Sequence, residues 1–322
     1  MVNEDVRVDA DGCPLAGTFA RAATPLAAAL ILPGSGKSDR NSDARLPFGQ
    51  VLRIGVSRAI ADALAPAGVS SLRYDKRGVG ASGGDHHGGG MAQRLSDAHA
   101  ALGWLADRVG GLPLLVIGLS EGTYYATQLA AQDNRVAGIV LIAGSVRRGD
   151  EVLAYQTEQM AERLPASAKL VLRLMRTDAV RAQRKNMNKI LASSADVIRL
   201  QGTKVNARWF REFCAYDPAQ ALAKVNVPVL AITGEHDLQV PPADVDAIGR
   251  LVQGPFEGHV VSDLSHLLRP DPASVGPRGY RRSVRQPVSP EVLALITNWV
   301  AHHFGASGAS GEVQARTGQE SR

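Results

Sequence analysis

The sequence predicts an α/β fold: a mostly parallel sheet covered by helices on both faces, with one helical insertion. Three observations carry this. Short, almost wholly apolar runs alternate along the chain with stretches of helical periodicity. One of those runs, Pro113 to Ile117, leads into a glycine-flanked serine from which a helix departs. Between about Ser145 and Tyr216 the alternation gives way to helical spacing alone. Continuous apolar runs are what strands require when helices shield both faces of their sheet.

Residues 4–22 open the chain with alternating stretches such as Val6-Arg7-Val8 and a turn at Asp9 to Gly12, which predicts an antiparallel hairpin. Ala27 to Leu32 reads as the first strongly apolar strand, Leu52 to Ala67 as an amphipathic helix and Val69 to Tyr74 as the next strand. The glycine-rich residues 83–90 read as a mobile loop. A helix over Gln93 to Val109 follows, then the strand from Pro113, the helix after Gly122 and a strand over Val136 to Ala143. From Ser145 to Tyr216 leucines and methionines recur at helical spacing without intervening strands, broken at Pro165 and Gly202, which predicts an inserted helical cap over residues 145–216. Alternation resumes with a strand over Val227 to Thr233, a helix opening near Pro242 and running to Val252, a short strand over Phe256 to Val261 and a closing helix over Pro290 to Phe304. The core is therefore expected from residues 1–144 and 217–305, and the small, polar residues 306–322 read as a disordered tail.

With 322 residues and 45% hydrophobic content the chain suits one large α/β domain or two small ones. The opening MVNEDVRVDADG has no apolar h-region, and no run reaches about 18 apolar residues, so neither a signal peptide nor a membrane span is expected. Cys13 and Cys214 lie far apart without metal-type spacing, which fits free thiols in a reducing, cytoplasmic setting. The net charge of +5 comes without a DNA- or RNA-binding motif, so no nucleic-acid partner is expected. Its distribution is uneven: between Arg147 and Glu212 stand 14 Lys+Arg and 7 Asp+Glu, a surplus of +7 in one segment. Such a surplus steers anionic substrates if it faces the site and is a solvated helix face if it does not. Adjacent His86 and His87 lack the further ligands of a metal site. No cofactor or metal is expected, and the oligomeric state is not legible.

The chemistry concentrates in Gly118-Leu119-Ser120-Glu121-Gly122. Glycines two residues to either side of Ser120 permit the sharp strand-to-helix bend called a nucleophile elbow. A hydroxyl is a weak nucleophile unless it projects from the scaffold, reaches a base and has backbone N–H groups beside it for the developing oxyanion. The Glu121 N–H is one candidate donor. The loop after the first apolar strand, Pro33 to Arg40, lacks the Lys-Ser/Thr ending of a phosphate loop in the required order, and offers the Ser35 N–H as the second donor. Acid and base are expected at the ends of later strands. That order leads to Asp237, with Glu235 as the rival acid, and to His266 in the loop after the last strand. His259, His302 and His303 fall within a strand and a helix and read as structural. Asp75 and Arg77 are expected to order their loop rather than touch substrate.

These residues resemble the α/β-hydrolase superfamily, and within it the cap-bearing serine carboxylesterases. The likeness rests on Gly34-Ser35-Gly36-Lys37-Ser38-Asp39-Arg40, on Tyr74 to Ser82, on Tyr216-Asp217-Pro218, and on the Gly234, Asp237 and Val240 run, and it covers roughly residues 5 to 304. It implies a Ser120, Asp237 and His266 triad and a small-molecule ester as substrate. Leu119 stands where relatives commonly have His, a difference that bears on elbow packing. Cleavage of carboxylic esters of small or medium acyl chains is the expected activity. A serine peptidase of the aminopeptidase kind uses the same triad, and a non-catalytic ligand-binding protein on the same fold is a third reading.

Overall fold

The computed structural model describes residues 2–45, 50–174, 177–275 and 279–305. The first hairpin, β1 (Val2–Ala10) and β2 (Cys13–Arg21), closes at Asp11-Gly12, both at positive φ (51° and 74°). That two-residue turn matches the right-handed twist of its strands. There follow β3 (Ala27–Leu32), a two-residue pair β4 (Ala44–Arg45) and β5 (Val51–Leu52), α1 (Val56–Leu64), β6 (Val69–Tyr74), α2 (Met91–Val109), β7 (Leu114–Leu119), α3 (Glu121–Gln132) and β8 (Val136–Ile142). Helix α1 begins later than its apolar periodicity suggests. Leu52 pairs with Ala44, and left-handed Gly55 (φ 66°) separates that strand from the helix.

The inserted segment contains α4 (Gly149–Glu162), α5 (Ala166–Leu174) and α6 (Ala179–Leu191), then a hairpin of β9 (Val197–Leu200) and β10 (Thr203–Asn206), then α7 (Ala207–Ala215). The hairpin departs from the expectation of helices alone. Gln201 and Gly202, both at positive φ (49° and 80°), turn the chain between two β-branched stretches, so turn chemistry prevails over the leucine spacing. The chain then forms α8 (Pro218–Leu222), β11 (Val229–His236), α9 (Asp244–Leu251), β12 (Phe256–Ser265), α10 (Tyr280–Ser283) and α11 (Pro290–Phe304). Strand β12 is longer than its apolar run suggests because it continues, paired to β11, through residues with exposed side chains. Residues 306–322 lie outside the described residues.

Eight strands form one sheet in the order β1-β2-β6-β3-β7-β8-β11-β12. The contacts of β2 are antiparallel and every pairing from β6 to β12 is parallel. Side chains split by the two-residue strand period. In β3, Ala28, Leu30 and Leu32 join one core with α2 and α3, while Ala27, Ala29 and Ile31 join another with α1 and α11. All six residues of β3, of β6 and of β7 are buried, as a doubly covered sheet requires. From β3 the chain runs outward to β6, whereas from β7 it runs the other way to β8. The loops after β3 and β7 therefore part, and a crevice opens between them at the carboxyl ends of the strands, where open α/β sheets place their ligands.

Candidate active site

Ser120 is the first residue after β7, with φ 51° and ψ −114°, a conformation that non-glycine residues adopt only when their surroundings impose it. Its N–H donates to the Ile142 carbonyl (2.8 Å), and its carbonyl accepts from the Thr123 N–H (2.9 Å) and hydroxyl (2.6 Å). The elbow glycines leave no alternative. A Cβ on Gly118 would stand 2.5 Å from the Gly122 carbonyl oxygen, and one on Gly122 would collide with the Leu32 carbonyl.

Asp237 and His266 are each the first residue after a strand, β11 and β12, and those strands are neighbours. Nδ1 of His266 donates to Asp237 Oδ2 at 2.7 Å. The other carboxylate oxygen of Asp237 accepts from the N–H groups of Gln239 (2.8 Å) and Val240 (3.0 Å). The Asp237 side chain is fully buried, that of His266 is one-tenth exposed, and the pair is thus held in one orientation. With Nδ1–H committed to the carboxylate, Nε2 is the nitrogen left to serve as a base. Ser120, His266 and Ser35 all line one cavity of about 260 Å³, whose walls include Leu52, Ile54, Leu119, Ile142, Leu268 and Tyr280. A smaller cavity of about 60 Å³ also touches Ser35 and Ser120 and is walled by Tyr124, Val152, Leu153, Trp209 and Phe213. Ser120 therefore lies between an apolar chamber built by core loops and a narrower one built partly by the insertion.

The rival acid is elsewhere. Glu235 is exposed and accepts from the Asp263 N–H on β12 (3.1 Å). His259 pairs with Glu257, and His302 and His303 pack against each other on α11. Among the described residues one group, Glu235, His236 and Asp263, brings three metal-type ligands within reach of one ion, and His236 Nδ1 donates to the Asp271 carbonyl (2.7 Å). His86 is pressed among cations. Burial, with Arg94 and Lys76, pushes its imidazole down to about 3, so the ring stays neutral.

Two candidate oxyanion donors meet beside Ser120. Glu121 is the first residue of α3, so its N–H is one of the helix-start donors that lack an intrahelical acceptor. Gly34 lies against the elbow, and a Cβ there would be 3.4 Å from both the Leu119 carbonyl and Ser120 Cβ. The loop that carries Ser35 is clamped to the loop after β6. Asp75 accepts from the Arg40 N–H (2.8 Å), the Arg40 guanidinium (2.9 Å) and the Ala81 N–H (2.9 Å), and Arg77 binds Asp97 (2.8 Å) and the Ala10 carbonyl (2.6 Å). Both residues order the backbone, in line with the sequence reading.

Sequence reasoning missed what the Glu121 side chain does. Its Oε1 accepts from Arg94 (2.5 Å), the Tyr125 hydroxyl (2.6 Å) and the Trp209 indole N–H (2.9 Å), and its Oε2 lies 3.8 Å from Lys76 Nζ. Burial alone would raise this carboxyl, but Arg94 and Lys76 hold it down at about 2. Tyr125 is local, one helical turn away, but nothing local in the sequence signals the contacts with Arg94 and Trp209, which stand 27 and 88 residues away. Part of the insertion's basic charge is used on structure. Arg147 pairs with Asp244, Arg148 binds the Cys214 carbonyl, and Arg208 and Arg211 pair with Asp196. Arg181, Arg184, Lys185 and Lys189 of α6 line a shallow groove that shares no residue with either cavity.

A mostly parallel eight-stranded sheet, helices on both faces and a serine elbow beside β3 together define an α/β hydrolase. The chain belongs to the serine aminopeptidase S33 family, whose profile matches residues 49–272. Solved structures share the fold. Est1E from Butyrivibrio proteoclasticus with ferulic acid bound is 14% identical, with 92% of this chain and 99% of that chain covered and a TM-score of 0.59. The α/β hydrolase GrgF from Penicillium sp. sh18 is 17% identical (94% and 99% covered, TM-score 0.60), and the Pyrococcus furiosus esterase Pf2001 is 15% identical (94% and 94%, TM-score 0.55). No curated protein matches the sequence. Among the described residues no helix is long and apolar enough to cross a membrane.

Proposed function

We propose that this hydrolase cleaves carboxylic esters of small or medium acyl chains through an acyl-enzyme on Ser120. The observation that carries the reading is the 2.7 Å bond from His266 to fully buried Asp237, at the edge of the cavity that Ser120 also lines. In the reaction, Ser120 Oγ bonds to the ester carbonyl carbon, its proton passes to His266 Nε2, and the carbonyl π pair moves onto oxygen, facing the Ser35 and Glu121 N–H groups. Collapse of the adduct expels the alcohol, which takes the proton from His266. Water repeats the sequence on the acyl-enzyme. Asp237 fixes the imidazole and stabilises its charged form.

Residues 145–216 act as a cap whose Trp209 and Phe213 wall the smaller cavity. The 260 Å³ chamber is below the roughly 300–1,000 Å³ of drug-sized ligand sites, which favours small acyl groups. Est1E, a protein of the same fold, binds a small acid, ferulic acid. The family's description raises an aminopeptidase as the second reading. A site gripping a free amino terminus needs an available carboxylate, and the one acid among the described residues lining the two cavities is Glu121, already held by Arg94, Tyr125 and Trp209. Hydrolysis of p-nitrophenyl esters of graded acyl length, run beside aminoacyl amides, tests the choice. Turnover of short esters with inert amides is expected, and faster amide turnover would overturn it.

A further inference from the structure

The Gly34 carbonyl and the Ser35 N–H belong to one peptide unit. In a trans peptide these two groups point in opposite directions, so whatever holds the carbonyl also aims the N–H. The ammonium of Lys76 donates to the Gly34 carbonyl at 2.5 Å. Lys76 is buried on the loop after β6, and its Nζ is in turn anchored 3.8 Å from Glu121 Oε2, an oxygen that has no hydrogen-bond donor among the described residues. The N–H of the 34–35 peptide therefore points away from Lys76, while Ser35 lines both cavities that Ser120 lines.

We propose that Lys76 is a positioning residue of the oxyanion hole: it fixes the 34–35 peptide so that the Ser35 N–H faces the oxyanion formed at Ser120. The inference rests on the serine-hydrolase reading above and names a part of that same site. Two effects follow from one contact. The lysine prevents the peptide from flipping, which in a glycine-rich loop is otherwise cheap. Its positive charge on the carbonyl also draws electron density from the amide, so the N–H on the far side becomes a stronger donor. The pairing with Glu121 extends the device, because Glu121 contributes the other oxyanion N–H. One buried ion pair thus ties the β3 loop to the elbow. Burial, with Arg94 acting in the same direction, pushes the Lys76 ammonium down to about 8 against the pull of Glu121, which leaves it charged at neutral pH.

The test uses Lys76→Met, which removes the donor, and Lys76→Gln, which keeps a neutral one and guards against a Met variant that fails to fold. Loss of one oxyanion donor costs about 10²–10³ in kcat. Lys76→Met should lower kcat by about 10²-fold with KM little changed, and should weaken a trifluoromethyl ketone, which forms a tetrahedral adduct on Ser120, by a similar factor. Lys76→Gln should fall between it and the parent in both readings. Unchanged ketone affinity in a folded Lys76 variant, or a rise in KM with kcat intact, overturns the proposal. The ketone adduct is read by ¹⁹F NMR without turnover, so this result is separate from the ester panel, whose failure would reject the esterase reading alone.

Discussion

The carboxyl edge of the sheet and the inserted segment meet at Ser120, and they are built to different standards. At the sheet edge the elbow backbone and the acid are tied. All of β7 is buried, the Ser120 backbone is bonded on both sides, and the Asp237 carboxylate accepts three hydrogen bonds. In the insertion, α6 buries Ile190 alone, and Leu174 at the end of α5 is 77% exposed. Burial there concentrates in α7, where Trp209 and Phe213 stack at 4.7 Å and reach the small cavity. Chemistry needs sub-ångström placement and is assigned to the rigid edge. On the proposed reading, selectivity tolerates variation, and the insertion adds to it through the smaller cavity.

The largest effect that can break this division lies at the edge. Asp237→Asn keeps the shape of the site but favours the wrong imidazole tautomer, and should cost about 10⁴ in kcat. Glu235→Gln, on the exposed carboxylate bound to the Asp263 N–H, should leave kcat within about twofold, since it touches none of these groups. Steady-state kinetics on both variants decide the matter, and the reverse ranking would move the acid to Glu235.

Next comes the junction between the two regions. Glu121→Gln leaves Arg94 and Lys76 buried without their counter-charge, and breaking a buried pair in this way should cost about 3 kcal/mol of stability. The sign with pH follows from the depressed carboxyl. Its contribution is fully present above the ordinary value of 4.5 and is lost as the pH falls through about 2. Urea titrations at neutral and acid pH should therefore show the gap between parent and variant narrowing in acid. A constant gap would mean that the charge of Glu121 is not what stabilises the junction.

The smallest effect sharpens the role of the insertion. Phe213→Ala enlarges the small cavity and should shift the ratio of kcat/KM for longer over shorter acyl esters by about tenfold. A uniform loss across the series would make Phe213 a packing residue only.

Legibility in the sequence divides along the same line. Strands β3 and β6 and helix α11 were readable to the residue, β3 because its continuous apolar run ends where the chain leaves the doubly covered sheet. Ser120, Asp237 and His266 were readable as candidates because each directly follows such a run or its extension, in the order the fold imposes. The β9–β10 hairpin was not, because its Gln-Gly turn sits inside helix-like leucine spacing. The start of α1 was missed because a lone glycine outranks periodicity when it takes φ 66°. Lys76 and the Glu121 side chain were legible only as loop and elbow residues. Apart from Tyr125, their partners are distant in sequence, and such contacts arise only once the sheet has brought the loops together.

The most direct test of the central claim is intact-mass analysis of the parent and of Ser120→Ala after exposure to a fluorophosphonate, with ester hydrolysis and thermal melts measured on the same samples. One adduct on Ser120 is expected in the parent, and none in the variant. Hydrolysis in the variant should fall by about three or more orders of magnitude at an unchanged melting temperature. Retained hydrolysis in a Ser120→Ala protein that melts normally would contradict the account.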